Sequence, residues 1–231
     1  MSATAILGDC LEKMAGLPDK SIDLFICDLP YGCLNPDRKY GDTEKKKYKT
    51  GVIMGHAWDV KLDLSLFWKQ VERLIKTPHT PVLMFCSTKF GNDLINSNPK
   101  WFRYDLVWAK GRMSSFLDVE RNPSKSHEMI YVFSKKGAYY RRIDETDGDK
   151  TKCALSVISY KTPTKRSHIC QKPEELLEWL MRRYCPDGGT ILDPTAGSFS
   201  AIRVGKRLGY KCIGIEKDPD FFWKAVKSTL Q

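Results

Sequence analysis

Three apolar runs in this 231-residue chain each end on an acid, with helical segments between them. Leu24-Phe25-Ile26-Cys27 leads to Asp28, Thr190-Ile191-Leu192 to Asp193, and Tyr210 to Ile215 to Glu216. Short apolar runs bounded by polar residues read as buried strands. Strands that alternate with helices are covered on both faces and pair mainly in parallel. The expected fold class is therefore α/β, a doubly wound and mainly parallel sheet. In such sheets ligands bind beyond the carboxyl ends of the strands, near the switch point of the topology. Acids at three such ends mark a candidate site.

The rest of the chain fits this frame. Ser21 to Cys27, Pro81 to Cys86, Tyr104 to Ala109 and His127 to Phe133 read as strands. Leu64 to Lys76 has helical spacing at Leu64, Phe67, Trp68, Val71, Leu74 and Ile75. Pro173 to Tyr184 reads as a helix opened by its proline. Ser198 to Leu208 reads as the helix after Asp193, and Pro219 sits in the first turn of a last helix. Asp9 reads as the N-cap of a helix over Cys10 to Leu17. One domain spanning 1–231 is expected, with a long mobile basic loop over about 35–55 and a short, weakly patterned basic segment over about 137–166.

Charge points to the partner. Thirty-eight Lys and Arg stand against 28 Asp and Glu, a formal net charge of +10, which suits a polyanion such as nucleic acid. The eight cysteines form no Cys-x-x-Cys pair and only four His are present, so a zinc site is not expected. Cys27 and Cys86 lie inside apolar runs, where cysteine acts as a small core residue. The chain shows no signal peptide and no long apolar span, so an intracellular, reduced protein without a membrane partner is expected.

Two motifs carry chemistry. Asp28-Leu29-Pro30-Tyr31 offers a carboxylate, main-chain carbonyls beside a proline, and an aromatic ring. Those groups can hold and stack a base bearing an exocyclic amino group. Asp193-Pro194-Thr195-Ala196-Gly197-Ser198 reads as a strand-to-helix turn where a backbone must approach a nucleotide-like cofactor, with Gly197 allowing that approach.

Together these motifs resemble the amino-methyltransferases of DNA, and their order resembles the circularly permuted beta class. The catalytic motif there usually reads (Asp/Asn/Ser)-Pro-Pro-(Tyr/Phe/Trp), and Asp-Leu-Pro-Tyr-Gly is similar to the variant of some phage and viral members. The cofactor motif there is close to Asp-Pro-Phe-x-Gly-Ser-Gly, so Thr195 stands for the Phe and Phe199 for the second Gly. Gly8-Asp9-Cys10 is similar to the family's Gly-Asp element near the cofactor's adenine. His168-Ile169-Cys170-Gln171-Lys172-Pro173 resembles its His-Pro-Thr-Gln-Lys-Pro, which touches the methionine part. Met84 to Ser87, Trp108 to Gly111 and His127-Glu128 fit its middle motifs.

The resemblance implies a Rossmann-like methyltransferase fold with S-adenosyl-L-methionine as cofactor. It implies catalysis by Asp28, Leu29, Pro30 and Tyr31. It implies cofactor contacts from Asp9, Cys10, Asp28, His168, Cys170, Gln171, Lys172, Asp193, Thr195, Ala196, Gly197, Ser198, Glu216 and Lys217. Glu216 takes the place of the acid that accepts hydrogen bonds from the ribose. The favoured reaction is methyl transfer to adenine N6 in double-stranded DNA. Cytosine N4 and a non-catalytic DNA-binding relic stand as alternatives, and a homodimer and a cognate restriction endonuclease stay open as partners. The setting implied is the cytoplasm of a bacterium or of a phage or viral host.

Basic residues supply the expected DNA contacts. Between Arg38 and Lys49 lie six basic residues, Arg38, Lys39, Lys45, Lys46, Lys47 and Lys49, with Tyr40 and Tyr48 among them. Basic side chains hold phosphates, and aromatic rings stack on bases. Arg141, Arg142, Lys165 and Arg166 are assigned the same role in the segment where a target-recognition region belongs.

Overall fold

The computed structural model describes residues 2–32, 59–111, 120, 123–147, 150–164 and 171–229. The expected loop over 35–55 lies outside the described residues.

An eight-stranded sheet forms the middle layer. In chain order its strands are β1 (Ala3–Leu7), β2 (Leu24–Cys27), β3 (Val82–Cys86), β4 (Phe102–Ala109), β5 (His127–Phe133), β8 (Val157–Ser159), β9 (Thr190–Asp193) and β10 (Lys211–Glu216). A separate hairpin of β6 (Glu145–Asp147) and β7 (Lys150–Lys152) lies beside it. The spatial order is β1-β10-β9-β2-β3-β5-β4-β8. All neighbours pair in parallel except β5, which runs antiparallel to both β3 and β4.

The helices divide between the two faces. Cores form on both sides because successive strand residues point opposite ways. Leu24, Ile26, Leu83 and Phe85 face one core, and Phe25, Cys27, Val82, Met84 and Cys86 the other. The first core takes the apolar sides of α4 (Glu174–Tyr184), α5 (Ser200–Arg207) and α6 (Pro219–Thr229). The second takes α1 (Cys10–Ala15), α2 (Leu64–Leu74) and α3 (Thr88–Ser97). The chain runs from β9 outward to β10 on one side and from β2 outward to β3 on the other. The switch point therefore falls between β9 and β2, which pair directly through Leu24 with Ile191 and Phe25 with Leu192. Asp193 and Asp28 stand at its carboxyl side.

Several expectations are refined. The strand over Ser21 to Cys27 shortens to β2, with Ile22 making an isolated bridge to Ile75. Pro173 is the N-cap of α4 rather than its first residue. The helix after Asp193 begins at Ser200, because the turn before it extends through Phe199. β1 and α3 are additions. The segment over 137–166 also carries three short strands, β6, β7 and β8.

Candidate active site

The fold brings a cluster of charged groups to the end of β2. Asp28 follows the last residue of that strand, and Leu29, 2% exposed, anchors the motif in the core. The next partner comes from β5. Because β5 is antiparallel, its first residues lie beside the last residues of β3 and β4, with Met129 opposite Cys86 and Glu128 opposite Trp108. Glu128 therefore reaches the same end of the sheet as Asp28, as does Lys110 just after β4. Lys172 arrives from the residues that lead into α4.

These groups interlock. Lys172 Nζ donates to Asp28 Oδ2 at 2.6 Å and reaches Glu128 Oε1 at 3.4 Å. Lys110 pairs with Glu128 Oε2 at 2.9 Å. The Tyr31 hydroxyl lies 2.9 Å from Asp28 Oδ1 and 3.0 Å from Glu128 Oε1. One face of the Tyr31 ring is stacked on Phe90, with centroids 4.9 Å apart. Burial pushes the Asp28 carboxyl up, against the opposing pull of Lys172. Burial acts on Glu128 in the same sense, but Lys172 and Lys110 outweigh it and hold its carboxyl well below the usual range. Burial, with both carboxylates beside it, pushes the Tyr31 phenol up and keeps it neutral.

The second half of the site is the turn after β9. Gly197 has φ +49°, a left-handed conformation that glycine adopts without strain. Its N–H donates to Glu216 Oε2 at 2.7 Å, and the Asp218 N–H donates to Glu216 Oε1 at 2.8 Å. Glu216 thus staples the turn to the end of β10. A carboxylate has about four lone-pair positions, so each oxygen retains room for a further donor. Asp193 accepts from the Thr195 N–H at 3.1 Å, and burial pushes its carboxyl up to about 8. Asp9 caps α1 through the Leu11 N–H at 3.0 Å and pairs with Lys217 at 3.1 Å. Burial likewise pushes the Cys10 thiol up to about 12, so it remains a neutral wall group rather than a nucleophile.

Phe199 takes the place where glycine is usual in the resembling family. It adopts the left-handed φ of +56° itself. Its ring is fully buried, with Phe222 at 5.9 Å, and occupies the space that Gly214 leaves by lacking a Cβ. The ring points into the core, and Phe199 is absent from the lining of the cleft.

Both halves open into one cleft of about 430 Å³, within the size range of small-molecule and cofactor sites. Asp9, Cys10, Asp28, Leu29, Pro30, Tyr31, Lys172, Asp193, Thr195, Ala196, Gly197, Ser198, Glu216 and Lys217 all line it. Gln171 is described but is not among the lining residues. His168 and Cys170 lie outside the described residues. The donor set fits S-adenosylmethionine: acceptor positions on Glu216, a glycine turn before a helix, and the Phe221 ring on the wall. Thr162 lines the cleft, and its buried Oγ1 has no hydrogen-bond partner among the described residues.

The DNA-contact residues divide. Arg38, Lys39, Lys45, Lys46, Lys47, Lys49, Lys165 and Arg166 lie outside the described residues. Arg141 is described, and its position argues against the assigned role. Its N–H bonds the Arg183 carbonyl near the end of α4, and its guanidinium pairs with Asp187 at 2.8 Å. That is the amino-terminal end of β9, the opposite end from Asp28. Arg142 is next in the chain and is paired with Asp144 at 2.6 Å. Among the described residues of the segment, the later part rises to the cleft, where β8 pairs with the last residues of β4 and Thr162 follows. Glu128, Lys110 and Thr162 are site residues that the sequence reading left without a role. The Lys110 and Glu128 motifs were visible, but the antiparallel β5 that aims Glu128 inward was not.

Comparison with known proteins agrees with this geometry. Residues 22–227 match the DNA methylase family N6_N4_Mtase. The Type II methyltransferase M.HinfI of Haemophilus influenzae is 24% identical over 97% of this chain and 67% of its own length. The Type II methyltransferase M.HpaI of Haemophilus parainfluenzae is 24% identical over 96% of this chain and 72% of its own. Among solved structures, the M1.HpyAVI–SAM complex superposes with a TM-score of 0.67 at 17% identity, covering both chains fully. The cytosine-N4-specific PvuII DNA methyltransferase gives 0.72 at 15% identity over 98% of this chain and 86% of its own. These two share the Rossmann-like fold. With the family match spanning most of the chain and the two motifs meeting in one cleft, this protein belongs to the N6/N4 DNA methylase family.

Proposed function

We propose that the protein methylates adenine N6 in double-stranded DNA. The observation that carries this reading is Asp28, an acid at the first position of the four-residue motif, standing in the cleft that the glycine turn also lines. Acid there is typical of adenine enzymes, and serine of cytosine N4 enzymes. S-adenosyl-L-methionine is the cofactor and supplies an electrophilic methyl group on sulfonium.

The chain's own residues then have defined tasks. An aromatic amino nitrogen is a poor nucleophile because its lone pair is delocalised into the ring. The Asp28 carboxylate and the Leu29 carbonyl accept its two N–H bonds and draw the nitrogen towards tetrahedral geometry. The same carboxylate favours the positive charge that develops there. A base inside a duplex cannot enter the cleft, so it is flipped out and stacks on the cleft side of Tyr31. Positioning provides much of the acceleration.

The basic residues of 38–49, with Lys165 and Arg166, supply phosphate contacts. We set Arg141 and Arg142 aside because of their position. A single methyltransferase domain working in the cytoplasm of a bacterium, or of a phage or viral host, completes the reading. A second copy of the chain and a cognate endonuclease are its candidate partners.

The test is to express the chain in a methylation-free host and analyse the DNA by nucleoside mass spectrometry. N6-methyladenine is expected. N4-methylcytosine in its place would overturn the choice of base while leaving the methyltransferase intact.

A further inference from the structure

Both oxygens of Asp28 already have partners. Lys172 Nζ holds Oδ2 at 2.6 Å and the Tyr31 hydroxyl holds Oδ1 at 2.9 Å. A target amino group must compete with them for the carboxylate. Lys172 is the stronger competitor, because its ion pair is buried and charge-assisted.

Each of these two partners has a second acceptor nearby, and it is the same atom. Glu128 Oε1 lies 3.4 Å from Lys172 Nζ and 3.0 Å from the Tyr31 hydroxyl. The other Glu128 oxygen is fixed by Lys110 at 2.9 Å, which keeps the carboxylate oriented while Oε1 changes partners. Lys172 and Glu128 are each only 8% exposed. A buried ammonium leaving Asp28 without a new carboxylate would be strongly disfavoured. Glu128 removes that obstacle.

We propose that Glu128 is a positioning residue for methyl transfer: its Oε1 receives the Lys172 ammonium and the Tyr31 hydroxyl when the target amino group takes their place on Asp28. The inference rests on the methyltransferase reading above. In this role Glu128 acts through Lys172 and Tyr31 rather than on the amino nitrogen itself. Without its charge, Lys172 stays on Asp28 and the amino group is kept out. The Lys172–Asp28 contact is then a latch, and Glu128 is the place where it rests when open.

The test compares wild type, Glu128→Gln, Lys172→Met and the double variant in single turnover. Each uses genomic DNA from a methylation-free host and saturating S-adenosylmethionine, with cofactor affinity measured by calorimetry. Glu128→Gln is expected to slow transfer at least tenfold while its cofactor Kd stays within about twofold of wild type. Adding Lys172→Met is expected to restore most of that loss, because the competitor has gone. A double variant as slow as Glu128→Gln, or slower, overturns the proposal, as does a Glu128→Gln variant at wild-type rate. Should Glu128→Gln fail to bind cofactor, Lys172→Met alone decides. Retention of a tenth or more of the wild-type rate at saturating cofactor supports the latch, and a larger loss overturns it. Wild type that methylates no DNA at all counts against the underlying reading, and so is distinguished from failure of this inference.

Discussion

The Thr195 hydroxyl donates to the main-chain carbonyl of Asp28 at 3.1 Å. This single bond crosses the switch point and joins the cofactor turn after β9 to the motif after β2. A phenylalanine at position 195 could not make it. The departure from the family pattern therefore adds a tie between the two halves of the site. Replacing Thr195 by Val keeps the shape and removes the donor. A hydrogen bond of this kind contributes about 0.5–1.5 kcal/mol, so methyl transfer should slow roughly 2- to 10-fold with cofactor affinity little changed. Thr195→Ser should restore the rate. Equal rates for the Val and Ser variants in single-turnover assays would show that the bond does not position Asp28.

Phe199 holds a left-handed backbone and a fully buried ring together. The backbone costs a non-glycine residue about 1–2 kcal/mol, and the buried ring outweighs that. Phe199→Ala should destabilise the fold by about 3–5 kcal/mol, the usual range for emptying such a site. Phe199→Gly should be no worse than Phe199→Ala, because it loses the same ring but relieves the strained φ. Chemical denaturation checks the order. A Phe199→Ala variant of wild-type stability would show that the ring is not part of the core.

Asp193 gives a pH dependence with a defined sign. Its carboxyl is pushed up to about 8 by burial, with Asp28 and Glu216 acting in the same direction and the Thr195 N–H against it. The folded state therefore binds a proton more tightly than the unfolded state. The stability tied to that proton is full below about pH 4, the ordinary value for Asp, and is lost as pH rises through about 8. Asp193→Asn keeps an oxygen for the Thr195 N–H and cannot ionise. It should be more stable than wild type at pH 8 by at least about 1.4 kcal/mol, the worth of one pKa unit, and little different at pH 4. An equal difference at both pH values in denaturation curves would contradict this.

Much of this site was legible in the chain because its residues sit where apolar runs stop. Asp28, Asp193 and Glu216 each close a strand, and strand ends can be read from hydrophobic pattern alone. What stayed hidden had weak pattern or depended on strand direction. β1 is Ala-Thr-Ala-Ile-Leu, with too little apolar bulk to stand out, and it is fixed by pairing with β10. α3 is ten residues long and buries Phe90, Gly91 and Leu94, so its apolar stripe covers little more than one turn. Glu128 was visible as a residue but not as a partner of Asp28. Nothing in His127 to Phe133 says that this strand runs against its neighbours. For Arg141 the charge was legible, but not the end of the sheet on which it lies.

Glu216, proposed as a cofactor contact, also ties the fold together. Both of its oxygens already accept main-chain N–H groups, from Gly197 and Asp218. Glu216→Ala should weaken S-adenosylmethionine binding by about 1.5–3 kcal/mol, the range for a hydrogen bond to a charged group. It should also loosen the turn at Gly197, with hydrogen exchange there rising in the free protein. An unchanged cofactor Kd by calorimetry would restrict Glu216 to its structural role.

In the proposed reaction the Asp28 carboxylate prepares a DNA amino group for methylation. Purified wild type and Asp28→Ala should be compared for transfer of labelled methyl from S-adenosylmethionine to DNA from a methylation-free host, with cofactor affinity measured alongside. Wild type is expected to label the DNA. Asp28→Ala is expected to bind the cofactor comparably and transfer no measurable label, because the loss lies in the chemical step. Near-normal labelling by Asp28→Ala would show that this carboxylate does not act on the amino group.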